Sequence, residues 1–304
     1  MGHKKYISTL LLFLAAFFWG FAFVAQDVVK AIGPMTIGMT RWFIGAAFLL
    51  IVIPIFDKFT KNDRKLVSKG KIDFTKHELL GGLVTGIIIS VASIVQQMGI
   101  NLGTSGGKAA FITALYVVLV PIYALFLRKR AKLNVWIAVF IAVVGFYFLC
   151  IKKNEGIVPS DIWVILSALI YPIHILAIDH FAPKCDCIRM SCIQFAVAFL
   201  LNTVGALIFE SPIAWGTVWN NILPFLYLGV FSSGISYTLQ MVGQKNVNPT
   251  VASLILSLES VFGLLGSMIL LGVELTHKEY IGAVIIFAAV ILSQFEFNKK
   301  NRAQ

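Results

Sequence analysis

Glu259 stands about eleven residues from either end of the apolar run 248–271, deep in any layer that run crosses. An ionised carboxyl at the centre of a bilayer costs on the order of 3 kcal/mol unless it is paired or hydrated. At that depth a carboxyl can exchange a proton or hold a cationic group; otherwise it is a protonated or hydrogen-bonded structural acid. His174, in the middle of the run 160–179, is the one histidine placed inside such a segment. Imidazole titrates near physiological pH, so His174 and Glu259 could form a proton relay, or His174 is a packed neutral hydrogen-bond donor. Arg41 lies roughly five residues inside the run 36–56. A guanidinium there can clasp a carboxylate with two parallel bonds, snorkel to the interface or bond carbonyls of a neighbouring helix. Trp19, Tyr171, Gln97, Tyr116, Tyr237, Gln240 and Gln194 add amides and aromatic faces. Such groups orient a polar ligand in a cavity or act singly as packing glue between helices.

The elements that must position these groups are ten apolar segments: 8–29, 36–56, 78–98, 108–127, 133–151, 160–179, 189–209, 222–241, 248–271 and 277–296. A spanning helix needs about 20 apolar residues. With 59% hydrophobic and only 13% charged residues in 304, too little charge remains to cover a soluble surface, so lipid is the outer solvent. The connections are short except for a polar stretch of about 20 residues after the second segment. The long first run, without a small-x-small cleavage site, reads as an uncleaved helix rather than a signal peptide.

The net charge of +11 is distributed by side. With a cytoplasmic N-terminus, the inner side receives Lys4, Lys5, Lys58, Lys61, Arg64, Lys65, Lys69, Lys71, Lys76, Arg128, Lys129, Arg130, Lys132, Lys184, Arg189, Lys245, Lys299, Lys300 and Arg302. The outer side receives Lys30, Lys108, Lys152, Lys153 and Lys278, roughly 19 against 5. This is the positive-inside bias. It predicts a multi-pass protein of the cell (plasma or inner) membrane with both termini cytoplasmic, and basic contacts for anionic headgroups rather than for nucleic acid. Cys150, Cys185, Cys187 and Cys192 have no metal-site spacing, and thiols on the cytoplasmic side stay reduced. No metal and no cofactor is expected.

The last five segments repeat the first five. At an offset of about 152, Trp19 meets Tyr171, Gly20 meets Pro172 and Asp27 meets Asp179; with one residue of slip, Arg41 meets Gln194. At an offset of about 143, Ser90, Ser93, Gln97 and Met98 meet Ser233, Ser236, Gln240 and Met241, Ala109 meets Ala252, and Tyr116 meets Glu259. Five crossings are an odd number, so the second copy enters the bilayer upside down. The fold class is therefore all-α integral membrane, ten transmembrane helices in two inverted five-helix repeats, 1–152 and 153–304, around a central cavity. Inverted repeats are the architecture of secondary transporters, with the substrate site between the halves. Gly20 and Pro172 loosen helix interiors at matching points, and Asp27 and Asp179 lie at opposite mouths, so these four are gate candidates. Gly82-Leu-Val-Thr-Gly86 is a small-xxx-small face that packs helices within the monomer.

These residues resemble the drug/metabolite transporter superfamily, specifically its ten-helix EamA type. Trp19-Gly20 matches a Trp-Gly signature in helix 1, and Thr40-Arg41-Trp42-Phe43 with Ala46-Ala47 an Arg-aromatic-small pattern in helix 2. The segment Asn248 to Glu259 resembles the entry to helix 9, followed by Gly272-Val273-Glu274 and Tyr280-Ile281-Gly282. Two departures stand out. Ser260 replaces a Pro usual after Glu259, and Arg128-Lys129-Arg130 replaces a Gly-Glu at the end of helix 4. The resemblance implies a basket of helices around a cavity lined mainly by helices 1, 3, 4, 6, 8 and 9, working by alternating access, usually toward efflux.

The expected partners are a small-molecule solute, the lipid bilayer and protons as a candidate coupling ion, with the chain acting as monomer or homodimer. An enzyme is not expected, because no His-Glu-x-x-His, paired aspartates or Gly-x-Ser-x-Gly occurs in a helix. Export of a small organic metabolite or drug-like solute comes first, import of a sugar or nucleotide derivative second, and a non-transporting scaffold or receptor subunit is the rival class. The orientation predicts that an impermeant thiol reagent outside the cell labels a single cysteine near Asn154 but not one in the 57–77 loop; the reverse pattern inverts the topology.

Overall fold

A computed structural model describes residues 2–59, 67–68, 71–72, 74–129, 131–150 and 158–294. Lys61, Arg64, Lys65, Lys69, Arg130, Lys152, Lys153, Asn154, Lys299, Lys300 and Arg302, and the side chains of Lys71 and Cys150, lie outside the described residues. Hydrocarbon offers no hydrogen-bond partner, so each apolar run closes its backbone bonds within a helix. Nine described helical runs are long and apolar enough to cross a membrane, and a tenth, Leu133–Phe148, is apolar but shorter. A two-residue ladder, Val67↔Ile72 and Ser68↔Lys71, is the one strand pairing among the described residues.

The first half runs α1 (Gly2–Val28), α2 (Pro34–Phe59), α3 (Lys76–Asn101), α4 (Gly106–Ala114), α5 (Tyr116–Phe126) and α6 (Leu133–Cys150). The second runs α7 (Pro159–Phe181), α8 (Cys187–Phe209), a short α9 (Trp215–Asn220) and α10 (Ile222–Leu226). A π-helix (Tyr227–Tyr237), α11 (Thr238–Gln244), α12 (Pro249–Leu256), α13 (Glu259–Leu271) and α14 (His277–Gln294) complete it. The pairings survive exchange of the halves. α3 packs on α7 as the π-helix and α11 pack on α1; α1 packs on α13 as α7 packs on α4 and α5; α2 with α8 and α6 with α14 map onto themselves.

The α2–α8 pair is fastened at both ends by related carboxylates. Asp57, near the end of α2, takes bonds of 3.1 and 2.6 Å from both terminal nitrogens of Arg189 in the first turn of α8. Arg189 also bonds Asp186, the N-cap of α8, at 2.8 Å. At the other end Glu210, just past α8, accepts from the Met35 and Thr36 amides and the Thr36 hydroxyl, each at 2.7 Å. A carboxylate there satisfies orphan donors at the positive end of α2. Glycines set the other spacings: a Cβ on Gly82 would lie 2.5 Å from Ile193 Cβ, and one on Gly86 2.7 Å from the Gln194 carbonyl. The small-xxx-small face thus packs α3 on α8 inside the monomer.

Irregular backbone occurs at two matched points and one unmatched one. The segment predicted as 108–127 breaks at Leu115 (φ −59°, ψ −16°) and that at 248–271 breaks at Leu258 (φ −59°, ψ −14°). Both turns tighten to i→i−3 bonds, Leu115 to Ile112 and Leu258 to Ile255, each 3.2 Å. Ser257 and Ser260 bond back to carbonyls three residues earlier at 2.8 Å, which competes with the ladder. The π-helix has no counterpart in α3, which is α-helical throughout. Gly20 and Pro172, expected as flexible points, lie inside unbroken helices. Gly20 serves close approach instead: a Cβ there would lie 2.3 Å from Phe262 Cβ.

Gly20→Ala should therefore lower the unfolding temperature in mild detergent, although alanine is the better helix former. Arg189→Met should cost roughly 3–5 kcal/mol by stranding Asp57, and Asp57→Leu in the same chain should restore most of that loss. A thermal melt of the three proteins checks both expectations.

Candidate functional site

A small cavity, with about 40 Å³ open to the centres of water-sized spheres, lies between the two halves, lined from ten of these elements. α1 contributes Trp19, Ala22, Phe23 and Gln26, spaced i, i+3, i+4, i+7 on one helical face. α7 gives Tyr171, His174 and Ile175, the π-helix Ser232 and Tyr237, and α11 Gln240. Arg41 enters from α2, Gln96 from α3, Thr113 from α4, Tyr116 from α5, Leu256 from α12 and Glu259 from α13. Apart from Trp19 and Tyr171, which are half-buried, these side chains are buried. Helix 2 joins the set implied by the family resemblance, through Arg41.

Arg41 is bound by hydroxyls rather than by an acid. Its Nη2 donates to Ser232 Oγ at 3.0 Å and its Nε to Ser233 Oγ at 3.3 Å, while the guanidinium carbon sits 4.6 Å from the Trp42 ring centre. The π-helix makes this possible by turning successive serines toward α2. Close approach helps, since a Cβ on Gly229 would meet Ile44 Cβ at 2.4 Å. Tyr237 is the aromatic hub, with ring centres 4.6 Å from Trp19, 5.7 Å from Trp42 and 5.7 Å from His174. Trp19 donates to the Ser232 carbonyl at 2.9 Å.

Glu259 and Tyr116 begin the two half-helices that follow the matched breaks. The Tyr116 hydroxyl faces the Glu259 carboxyl, and these two groups and Gln240 Oε1 are buried in residues that line this one cavity, with no well-formed hydrogen bond among the described residues. Buried polar atoms left unmade cost about 1–3 kcal/mol each, so these groups are available to a polar partner entering the cavity. Neither Arg41 nor Glu259 has a partner of opposite charge among the described residues.

Of the other sequence candidates, Gln194 stands behind the wall, its Oε1 2.9 Å from His174 Nε2. Gln97 is one bond away from the lining: its Oε1 accepts from Gln26 at 3.0 Å, and its Nε2 donates to Asn101 at 2.8 Å. Asp27 and Asp179 lie outside the cavity, the first bonded to Lys30 at 2.8 Å and the second paired with Lys129. Polar lining residues that the sequence reading missed are Gln26, Gln96, Thr113 and Ser232. Gln26 Nε2 also reaches Gln96 Oε1 at 3.3 Å, and Gln96 donates to Thr113 at 2.8 Å. Gln96 and Ser232 each adjoin a residue that the repeat singled out, and the rotation of α3 and of the π-helix about their axes decides which neighbour faces the cavity.

Cys185, Cys187 and Cys192 are buried free thiols, and no cluster of metal-ligating groups occurs among the described residues. In the loop before α8, burial pushes the Cys185 thiol above its ordinary value, with the nearby Glu78 carboxylate adding to the effect.

A relative from Archaeoglobus fulgidus, named an uncharacterized transporter, is 29% identical over 294 residues, covering 96% of this chain and 87% of its own. One from Clostridium kluyveri, also named an uncharacterized transporter, is 21% identical over 278 residues, 89% of this chain and 86% of its own. A crystal structure shares the fold with a TM-score of 0.74 at 16% identity, over 94% of this chain and 96% of that one. The profile of the EamA-like transporter family matches residues 7–151 and again 158–295. With ten apolar helices and two matches that span nearly the whole sequence, the chain belongs to the EamA-like transporter family, within the drug/metabolite transporter superfamily.

Proposed function

We propose that this protein exports a small dipolar organic solute across the cell membrane by alternating access, with Glu259 carrying the coupling proton. One observation carries the reading: the cavity between the repeats holds a cation, Arg41, and an acid, Glu259, neither paired with an opposite charge among the described residues. A solute with an anionic and a cationic end, such as an amino acid, would meet both, and Trp19, Tyr171 and Tyr237 would flank its apolar part. When the solute leaves, a proton on Glu259 replaces the positive end and keeps the buried charge low. Pseudo-twofold pairing of the helices supports alternating access, and the family resemblance supports the outward direction.

Both termini are assigned to the cytoplasm. Among the described basic residues, Lys4, Lys5, Lys58, Lys76, Arg128, Lys129, Lys132, Lys184, Arg189 and Lys245 fall on the side of the N-terminus; Lys30, Lys108 and Lys278 fall on the other. The bias agrees with retention of basic loops inside.

In liposomes loaded with neutral amino acids, the wild-type protein should accelerate efflux, with a rate that responds to an imposed pH gradient. Glu259→Gln should abolish the pH response, and Arg41→Gln should raise the half-saturating solute concentration about tenfold or more. Wild-type vesicles no leakier than empty ones would favour a scaffold, and an undiminished pH response in Glu259→Gln would remove the coupling role.

A further inference from the structure

Arg128 is the one non-glycine residue with positive φ among the described residues, at φ 57°. It occupies the left-handed position that closes α5: its amide bonds the Leu125 carbonyl and that of Lys129 bonds Ala124, each 2.9 Å. That position normally belongs to glycine. The second half closes α13 with a left-handed residue one position further along the repeat, Gly272, at φ 66°. The same chain thus uses glycine for this turn in one half and a strained arginine in the other, where a side chain brings nothing to the turn itself.

What lies beside Arg128 supplies a reason. An open slot of about 600 Å³ separates α3 from α5 over the surface of α7, with Leu127 and Lys129, the chain neighbours of Arg128, in its lining. Its walls are apolar, with Ile88, Tyr123, Ile173 and Ala177 among them, and its end carries Lys129 and His180. Lys184 adds a further charge, 3.5 Å from His180 Nε2. Asp179, paired with Lys129, is the acid at this end. An apolar slot in the hydrocarbon ending in a basic cluster at the interface matches a molecule with an acyl chain and an anionic head.

We propose that the slot between α3, α5 and α7 binds an anionic phospholipid from the leaflet facing the termini, with its phosphate against Arg128, Lys129 and Lys184 and one acyl chain along Ala177. Acyl burial provides the attraction, and the cations select the headgroup. The site is separate from the central cavity: α7 forms the wall between them, turning Tyr171, His174 and Ile175 to one side and Ile173 and Ala177 to the other.

The test is native mass spectrometry of the purified full chain with phosphatidylglycerol or phosphatidylcholine of identical chains, with inorganic phosphate as the headgroup-only competitor. Wild-type protein should hold phosphatidylglycerol in preference to phosphatidylcholine, and phosphate should not displace it. Arg128→Gly should weaken phosphatidylglycerol about fivefold while leaving the unfolding temperature unchanged or raised, because glycine relieves the turn. Ala177→Phe, which fills the slot and keeps every charge, should lose both lipids. Equal retention of the two lipids by the wild type, or wild-type retention by both variants, overturns the proposal. Displacement by phosphate alone also overturns it and makes the cluster a free-anion site.

Discussion

Hydrocarbon supplies no hydrogen bonds, and that constraint organises the whole molecule. Every segment that faces lipid closes its own backbone ladder. Departures from regular helix are confined to places where other protein groups or a cavity receive what the ladder gives up. The turn at Leu115, the turn at Leu258 and the π-helix at Tyr227–Tyr237 all adjoin the central cavity, delivering Tyr116, Glu259, Ser232 and Tyr237 to it. Functional chemistry and irregular backbone coincide because both need a partner other than lipid.

The two halves are equal in architecture and unequal in chemistry. Asp57 and Glu210 are related carboxylates at opposite ends of the α2–α8 pair, one meeting a guanidinium and the other backbone amides. Tyr116 and Glu259 follow turns of almost the same dihedral angles, yet one carries a phenol and the other a carboxyl. Duplication explains why the two halves contribute matching helices to one cavity. The unequal residues give the cavity one cation and one acid, where a symmetric pair of like charges would repel across so small a space.

Much of the site was legible because charges and amides in apolar segments are costly and conspicuous. Arg41, Glu259, His174 and Gln240 stand out on composition alone, and Trp19 with Tyr171 through the repeat. Gln26, Gln96, Thr113 and Ser232 were not legible, because polar residues this close to other polar residues need the rotation of each helix to sort them. Gly20 shows the opposite difficulty. A glycine in a membrane helix signals either bending or close approach, and only the position of Phe262 distinguishes the two.

By itself the sequence determined the number of crossings, their antiparallel duplication and the side on which basic residues collect, since each follows from hydropathy, offset and charge summed along the chain. The tertiary structure alone decided which polar atoms share the cavity, where the helices tighten or widen, and that Asp27 and Asp179 pair with neighbouring lysines outside it. Those outcomes depend on distances of a few ångströms between helices far apart in the chain. Periodicity gives a residue's face, but the rotation and separation of a helix come from the packing of every neighbour at once.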